Sequence, residues 1–293
     1  MPCYKSKTLL VRSEKPSKAC VRRGGLENKS IICLGSDRIK VARLLIARYS
    51  PRIWSSYNLG VPTKNPNMKL LLLAALFLLS NACSNADVTT SMIPGPDLHG
   101  WHADIPDADD NPDIEPSFAV RDGMLISNGN PQGHLISNDS YRNYRLNIEY
   151  RWSGEPGNCG VLVHASTPRR LYKMFPQSIE CQMYAGNAGD FWCIGEDITV
   201  DDMVGRRGPK ENWGTDGNKA RRILNLTDGS EKEVGEWNEM VIECTANEIK
   251  VWVNGDLVNH GYDCTTNIGH IAIQAEGAPC EFRRFDLTQY VDR

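Results

Sequence analysis

From about residue 96 onward the chain is a succession of short runs in which apolar and polar residues alternate, each run closed by turn residues. The clearest are SFAVRDGMLISNG, YRLNIEYRW, GVLVHAS, SIECQMY, EMVIECTANEIKVWVNGDLVNHG, GHIAIQAE and CEFRRFDLTQY. Alternation with period two predicts half-buried strands. The Asp122-Gly123 and Asn254-Gly255 pairs between such runs predict tight hairpins. No amphipathic helical stripe and no internal repeat interrupts this rhythm, so the pattern predicts an all-β fold in one domain, an antiparallel two-sheet β-sandwich. The polar segment from Gly195 to Asn218, which contains Trp213, breaks the rhythm and reads as a long loop, either functional or disordered.

A different pattern precedes it. Starting at Met68 the sequence reads MKLLLLAALFLLSNACSNAD: one positive charge at Lys69, an apolar run from Leu70 to Leu79, then small and polar residues up to Cys83. This is the layout of a secretory signal and is too short to span a bilayer as a helix. It comes 67 residues late. Those 67 residues hold 14 Lys and Arg against Glu14, Glu27 and Asp37, a net +11 that leaves −14 for the remainder of a chain whose total is −3. The reading is a true start at Met68, with residues 1–67 a misassigned upstream extension, 68–83 a signal peptide, 84–95 a linker and 96–293 the domain. The segment Leu79-Ser80-Asn81-Ala82-Cys83 resembles the lipobox of bacterial lipoproteins, which implies lipidation at Cys83, a membrane anchor and an exported protein of the periplasm or cell envelope. A nucleic-acid partner is not expected, because the domain's acidic charge repels phosphate. Six cysteines follow Cys83 and permit up to three disulfides, while the absence of a C-x-x-C spacing argues against a zinc knuckle.

The order of several motifs resembles the 3-keto-disaccharide hydrolase domain family, exported proteins with a concanavalin A-like jelly roll. The match runs from Leu98-His99-Gly100-Trp101 through Phe118 to Gly123, Glu149 to Trp152, Asn158-Cys159-Gly160 and Ser178 to Trp192, and closes with Trp252 to Gly255 and Glu276 to Leu287. Many relatives carry Ser where this chain has Cys159.

Alternation sorts side chains by face. It places Leu162 with His164, and Glu180 with Gln182 and Tyr184, while Ile179, Cys181, Met183, Ile271 and Ile273 turn to the core. With Glu149 and Arg151 on the preceding strand and Gln274 and Glu276 on a later one, these residues are expected to line one concave, sugar-facing wall. Trp192 and Phe191 are its expected ring platforms. The same residues have bland readings: outward Glu and Arg side chains are usually solvated surface, Tyr184 and Trp252 fit as packing, and His99, His102, His134, His260 and His270 lack ligand spacing.

The resemblance implies a sugar whose C3 hydroxyl is oxidised to a ketone. That ketone acidifies the proton on C2, so a base removes it and the C1 aglycone leaves; water then completes a net hydrolysis. The expected catalytic residues are His164 or Glu180 as base and Asp190 assisting the leaving group. Arg151 and Lys173, or a divalent metal ion held by His164, Glu180 and Gln182, would stabilise the enolate. Substrate contacts are assigned to Glu149, Arg151, Lys173, Gln182, Trp192 and Glu276. Two rivals stand beside this: a two-carboxylate glycosidase using Glu180 with Glu276 or Asp190, and a non-catalytic carbohydrate-binding module.

Overall fold

The structure is a computed structural model that describes residues 87–290. The expected signal peptide, Cys83 and the upstream extension lie outside the described residues. Eighteen strands follow one another: β1 Val88–Ser91, β2 Trp101–Asp104, β3 Phe118–Arg121, β4 Met124–Ser127, β5 Gly133–Ser137, β6 Tyr144–Trp152, β7 Gly160–Ala165, β8 Arg169–Leu171 and β9 Phe175–Pro176. Then come β10 Ser178–Gln182, β11 Phe191–Ile194, β12 Thr199–Val200, β13 Arg222–Ile223, β14 Asn238–Thr245, β15 Glu248–Val253, β16 Asp256–Tyr262, β17 His270–Ala275 and β18 Cys280–Gln289.

They form two large antiparallel sheets, the expected jelly-roll sandwich. A nine-stranded sheet runs β12-β16-β15-β14-β6-β18-β4-β3 with β1 paired to β18, and a seven-stranded sheet runs β13-β11-β10-β7-β17-β5-β2. Residues 88–91, expected in a linker, instead form an edge strand. Their β-branched Val-Thr-Thr run pairs with β18, and the Thr89 and Thr288 hydroxyls meet at 2.7 Å.

The core fills the space between the sheets. From the nine-stranded sheet it takes the alternate residues Tyr144, Leu146, Ile148, Tyr150 and Trp152 of β6. Val161, Val163, Ile179, Cys181, Ile271 and Ile273 come from the seven-stranded sheet. At about 25 cal/mol per Å² of apolar surface, burial on this scale is what holds two such sheets together. Cys159, Cys181, Cys193, Cys244, Cys264 and Cys280 are all buried with free thiols.

The outer face of the seven-stranded sheet is itself half covered. Ile136, Leu162, Ala272 and Ile194 project outward and pack under the small hairpin β8-β9 through Leu171 and Phe175. Arg169 pins that hairpin to the sheet edge, bonding Asp104 Oδ1 at 2.6 Å and 2.9 Å and also pairing with Asp109. The expected open concave wall is therefore a roofed one. The segment from Gly195 to Asn218 is ordered, and contains the short helix Met203–Arg207 that the strand pattern did not suggest. Its anchor is the buried Arg207, which pairs with Asp197 at 2.6 Å and donates to Ala220 O and Gly214 O.

Candidate active site

Cross-strand register brings the outward residues of the seven-stranded sheet into two rows. Glu180 stands opposite Trp192 on one side and Leu162 on the other, and Ala272 lies between Leu162 and Ile136. In the next row Gln182 faces Gly160, Gln274 faces His134, and His134 faces Asp104. Gly160 matters because it has no side chain: a Cβ there would sit 2.5 Å from Glu180 Oε1, so the carboxyl group lies across the glycine. Glu276 follows Gln274 at the same end of the sheet, and its Oε2 accepts from Asn158 Nδ2 at 2.7 Å.

These groups are desolvated and short of partners. Glu180 is 4% exposed, with Oε1 lacking a hydrogen-bond partner. Gln274 and His134 are fully buried, with both amide atoms and both ring nitrogens unpartnered, and Trp192 Nε1 is in the same state. Buried polar atoms ordinarily have partners, and each one left without costs about 1–3 kcal/mol. Such a concentration on one face marks a place built to receive a polar ligand.

Electrostatics agree. Burial first, and then the neighbouring Glu276 and Asp190, push the Glu180 carboxyl up to about 8, with Arg221 opposing. Burial pushes Glu276 up to about 7, again opposed by Arg221. Burial holds the His134 imidazolium down to about 4, so the ring is neutral, and it packs edge-on against Phe175 at 5.6 Å. Arg221 lies close enough to both carboxyl groups to act on them electrostatically. Its guanidinium lies over the Trp192 ring at 5.1 Å and the Tyr172 ring at 5.7 Å, and Nε reaches Gly217 O at 3.4 Å. A cleft of about 240 Å³ opens beside them, lined by Asn158, Gln182, Tyr184, Asn187, Trp192 and Arg222.

Of the residues expected at the site, Glu180, Gln182, Asp190, Trp192 and Glu276 gather here. Two of them are occupied in holding the scaffold. Gln182 Oε1 accepts from the backbone of Met183 and Tyr184 at 2.9 Å and 3.1 Å. Asp190 is buried, accepting from Arg222 Nε at 2.6 Å and from Asn225 N at 2.7 Å, and burial raises its carboxyl above the usual range. Gln274 of the expected wall is here too, but His164, Glu149, Arg151 and Lys173 stand elsewhere. His164 has a left-handed backbone, φ 54, beside a bulge where β17 meets β7, so alternation fails after Val163. Its ring turns to Tyr144 of the opposite sheet, 5.9 Å away, and burial holds it down to about 4. The pairing of His164 with Leu162 on one face is thereby corrected. The metal set His164, Glu180 and Gln182 does not fit an ion, because the first points into the core and the third is spent on backbone. Among the described residues no three His, Cys, Asp or Glu side chains stand close enough to hold a metal.

Glu149 and Arg151 lie on the outer surface of the other sheet. Glu149 pairs with Arg283 and Arg284, while Arg151 pairs with Glu281 at 2.7 Å and lies over Trp237. They are ordinary cross-strand pairs, and a wall shared with Glu180 is excluded by their sheet. Lys173 is exposed at the tip of β8-β9, in a separate cleft. Phe191 is a core residue, whereas Tyr184, read as packing, is 46% exposed and lines the cleft. The sequence reading missed Arg221 and His134. The second had a signal: His134 alternates with the core residue Leu135 and stands opposite Gln274.

The family model described as the 3-keto-alpha-glucoside-1,2-lyase-like domain matches residues 88–288. No curated protein matches the sequence. Among solved structures, the chain is similar to a protein from Parabacteroides distasonis ATCC 8503 provisionally described as a glycosyl hydrolase. The two are 20% identical with a TM-score of 0.45, covering 69% of this chain and 100% of that one. A second such protein from the same organism is 17% identical at a TM-score of 0.48, covering 69% and 94%. The carbohydrate binding module CBM66 from Bacillus subtilis is 9% identical at 0.43, covering 64% and 93%.

Proposed function

Because this chain belongs to the family of 3-keto-alpha-glucoside-1,2-lyase-like domains, we propose that it is a carbohydrate-active enzyme cleaving the C1–O bond of 3-keto-glycosides by elimination across C1 and C2, followed by hydration. The observation that carries the chemistry is the pair of buried carboxyl groups, Glu180 and Glu276, within electrostatic reach of one guanidinium, Arg221.

In this reading Glu276, near half ionised at neutral pH, takes the proton from C2. The electrons of that C–H bond form the C2–C3 double bond of an enolate, whose negative charge on the ketone oxygen Arg221 stabilises; the enolate then collapses, restoring the ketone and forming the C1–C2 double bond as the C1–O bond breaks. Placed in a dry site and aimed beforehand, such a cation acts where charge develops. Glu180, still protonated, donates to the departing C1 oxygen, so the aglycone leaves as an alcohol and the sugar as a 1,2-unsaturated 3-ketone. Water adding across that double bond completes net hydrolysis. Their separate environments give the two carboxyl groups the opposed roles of base and acid. Asn158 and Asn187 line the cleft and offer neutral hydrogen bonds to sugar hydroxyls, and Trp192 offers a ring face.

The same two carboxylates suit a glycosidase acting on unoxidised sugar, and one experiment separates the readings. The domain is incubated with a glucoside and with its 3-keto derivative, and products are identified by mass. Cleavage of the ketone alone is expected; cleavage of both points to a glycosidase, and binding without turnover sinks the enzymatic reading. The leader at 68–83 supports export, with Cys83 as lipid anchor, and labelling cells with a fatty-acid analogue checks it: loss of label in Cys83→Ser is expected, and an unlabelled parent protein contradicts it.

A further inference from the structure

Two buried thiols meet on the core side of the turn that carries the candidate site. Cys159 leads into β7 of the seven-stranded sheet, Cys280 opens β18 of the nine-stranded one, and both are fully buried. Their sheets come within side-chain reach here. Ser127 Oγ of β4 donates to Gln274 O of β17 at 3.1 Å, and Cys159 Sγ donates to that same oxygen at 3.3 Å. Cys280 stands directly opposite Ser127 where β18 pairs with β4. The link from β17 to β18 is short, residues 276–279, and Asn158 bridges to Glu276 and Gly277 within it. These tethers draw Cys159 and Cys280 to one point. Burial, and then a hydrogen bond shared with Cys159, push the Cys280 thiol well above its ordinary range.

A disulfide asks for two cysteines whose Cβ atoms approach closely and point toward each other. Side chains that meet from facing sheets supply that arrangement. Other thiols of the core are engaged differently: Cys193 donates to Asp197 Oδ1 at 3.3 Å, and Cys244 shares a hydrogen bond with Tyr144. We propose that Cys159 and Cys280 are joined by a disulfide when this chain folds in an oxidising compartment, stapling the two sheets under the turn that carries the candidate site. The bond forms before the sheets close, since neither sulfur is reachable afterwards. One thiolate attacks the S–S bond of an oxidant, a small-molecule or protein disulfide, giving a mixed disulfide and one released thiol. The second thiolate attacks that mixed disulfide, forming the Cys159–Cys280 bond and releasing the second thiol, so two protons and two electrons pass from the cysteines to the oxidant. Asn158 on one side of Cys159 holds Glu276, and Gly160 on the other makes room for Glu180, so the staple fixes the turn on which both carboxyl groups lean.

The test refolds the full-length protein in a mixture of oxidised and reduced glutathione, alkylates it in denaturant, and digests it with trypsin and a Glu-specific protease. Cleavage leaves Cys159 alone in peptide 152–169 and Cys280 alone in peptide 277–281. The expected product is these two peptides joined, lighter than their sum by two hydrogen atoms and separated by reductant. A cross-link closing so long a loop should also show in the melting midpoint, which reductant should lower by about 5–15 °C in the parent protein. The variant Cys159→Ala with Cys280→Ala should show no such response to reductant. Recovery of both peptides in alkylated form, or of Cys280 joined to any other cysteine, overturns the pair. A joined pair whose reduction leaves the midpoint in place overturns the staple. Neither readout depends on the reaction proposed above, so the two succeed or fail separately.

Discussion

Arg221→Met is the most informative single substitution, since it removes the cation that acts on both carboxyl groups while keeping a long apolar stem against Trp192 and Tyr172. Burial raises Glu276 and Arg221 holds it down, the net position being about 7. A nearby cation favours the ionised carboxylate, so removing it leaves burial unopposed. Without Arg221 the base then titrates higher, and less of it is ionised at pH 7. Loss of a charge-stabilising donor in the site costs a further factor of about 10²–10³. Together these predict a drop of at least about 10² in kcat/KM at neutral pH. The sign follows from the base having to be ionised: activity climbs with pH through the Glu276 titration, so the acidic limb of the profile moves upward in the variant. The assay is kcat/KM for a 3-keto-glucoside against pH in Arg221, Arg221→Lys and Arg221→Met proteins, with lysine recovering part of the rate. An unmoved limb with a rate within about threefold of the parent would refute the reasoning, since that is under 1 kcal/mol of transition-state stabilisation.

Gly160→Ala puts a methyl group 2.5 Å from where Glu180 Oε1 now lies, so the carboxyl must move, and kcat/KM should fall about 10- to 100-fold with the fold intact by circular dichroism. Glu180→Gln should raise stability increasingly with pH. The folded carboxyl titrates near 8 against an ordinary 4.5, so between those values the unfolded chain has lost a proton that the native state keeps. Parent stability is therefore fully present below about 4.5 and falls as pH climbs toward 8, and denaturant midpoints of both proteins across that window check the divergence. Glu149→Gln and Arg151→Ala should each change stability by about 0.5 kcal/mol or less and leave turnover intact, because their pairs lie at the surface of the far sheet. A large loss of activity in either would place the site on the wrong sheet.

Period-two alternation was sufficient for much of this. It turned Ile179, Cys181, Ile271 and Ile273 inward and Glu180, Gln182, Gln274 and Glu276 outward, as the core cluster bears out. It could not say which sheet a strand joins. Glu149 and Arg151 alternate just as cleanly, but β6 pairs with β14 and β18, and that strand order is set by contacts distant in sequence. Alternation also fails where the backbone does. His164 sits at a left-handed residue beside a bulge, and one such residue reverses a side chain's face. Arg221 was out of reach for a third reason. It leaves an aperiodic polar segment, and its place depends on Arg207 bonding Ala220 O and Gly214 O deep under that segment. The outward apolar residues Leu162, Ala272 and Ile136 did carry a sign, since a sheet face exposed to water would not hold them together, and they mark the roof formed by β8-β9.

The most direct measurement of the central claim is hydrogen exchange at C2. A 3-keto-glucoside is incubated with the enzyme in deuterium oxide and the sugar product is analysed by mass and proton NMR. If Glu276 removes the C2 proton before the C1–O bond breaks, the product carries deuterium at C2, and Glu276→Gln abolishes both label and turnover. Cleavage that leaves the original C2 proton in place would contradict the account.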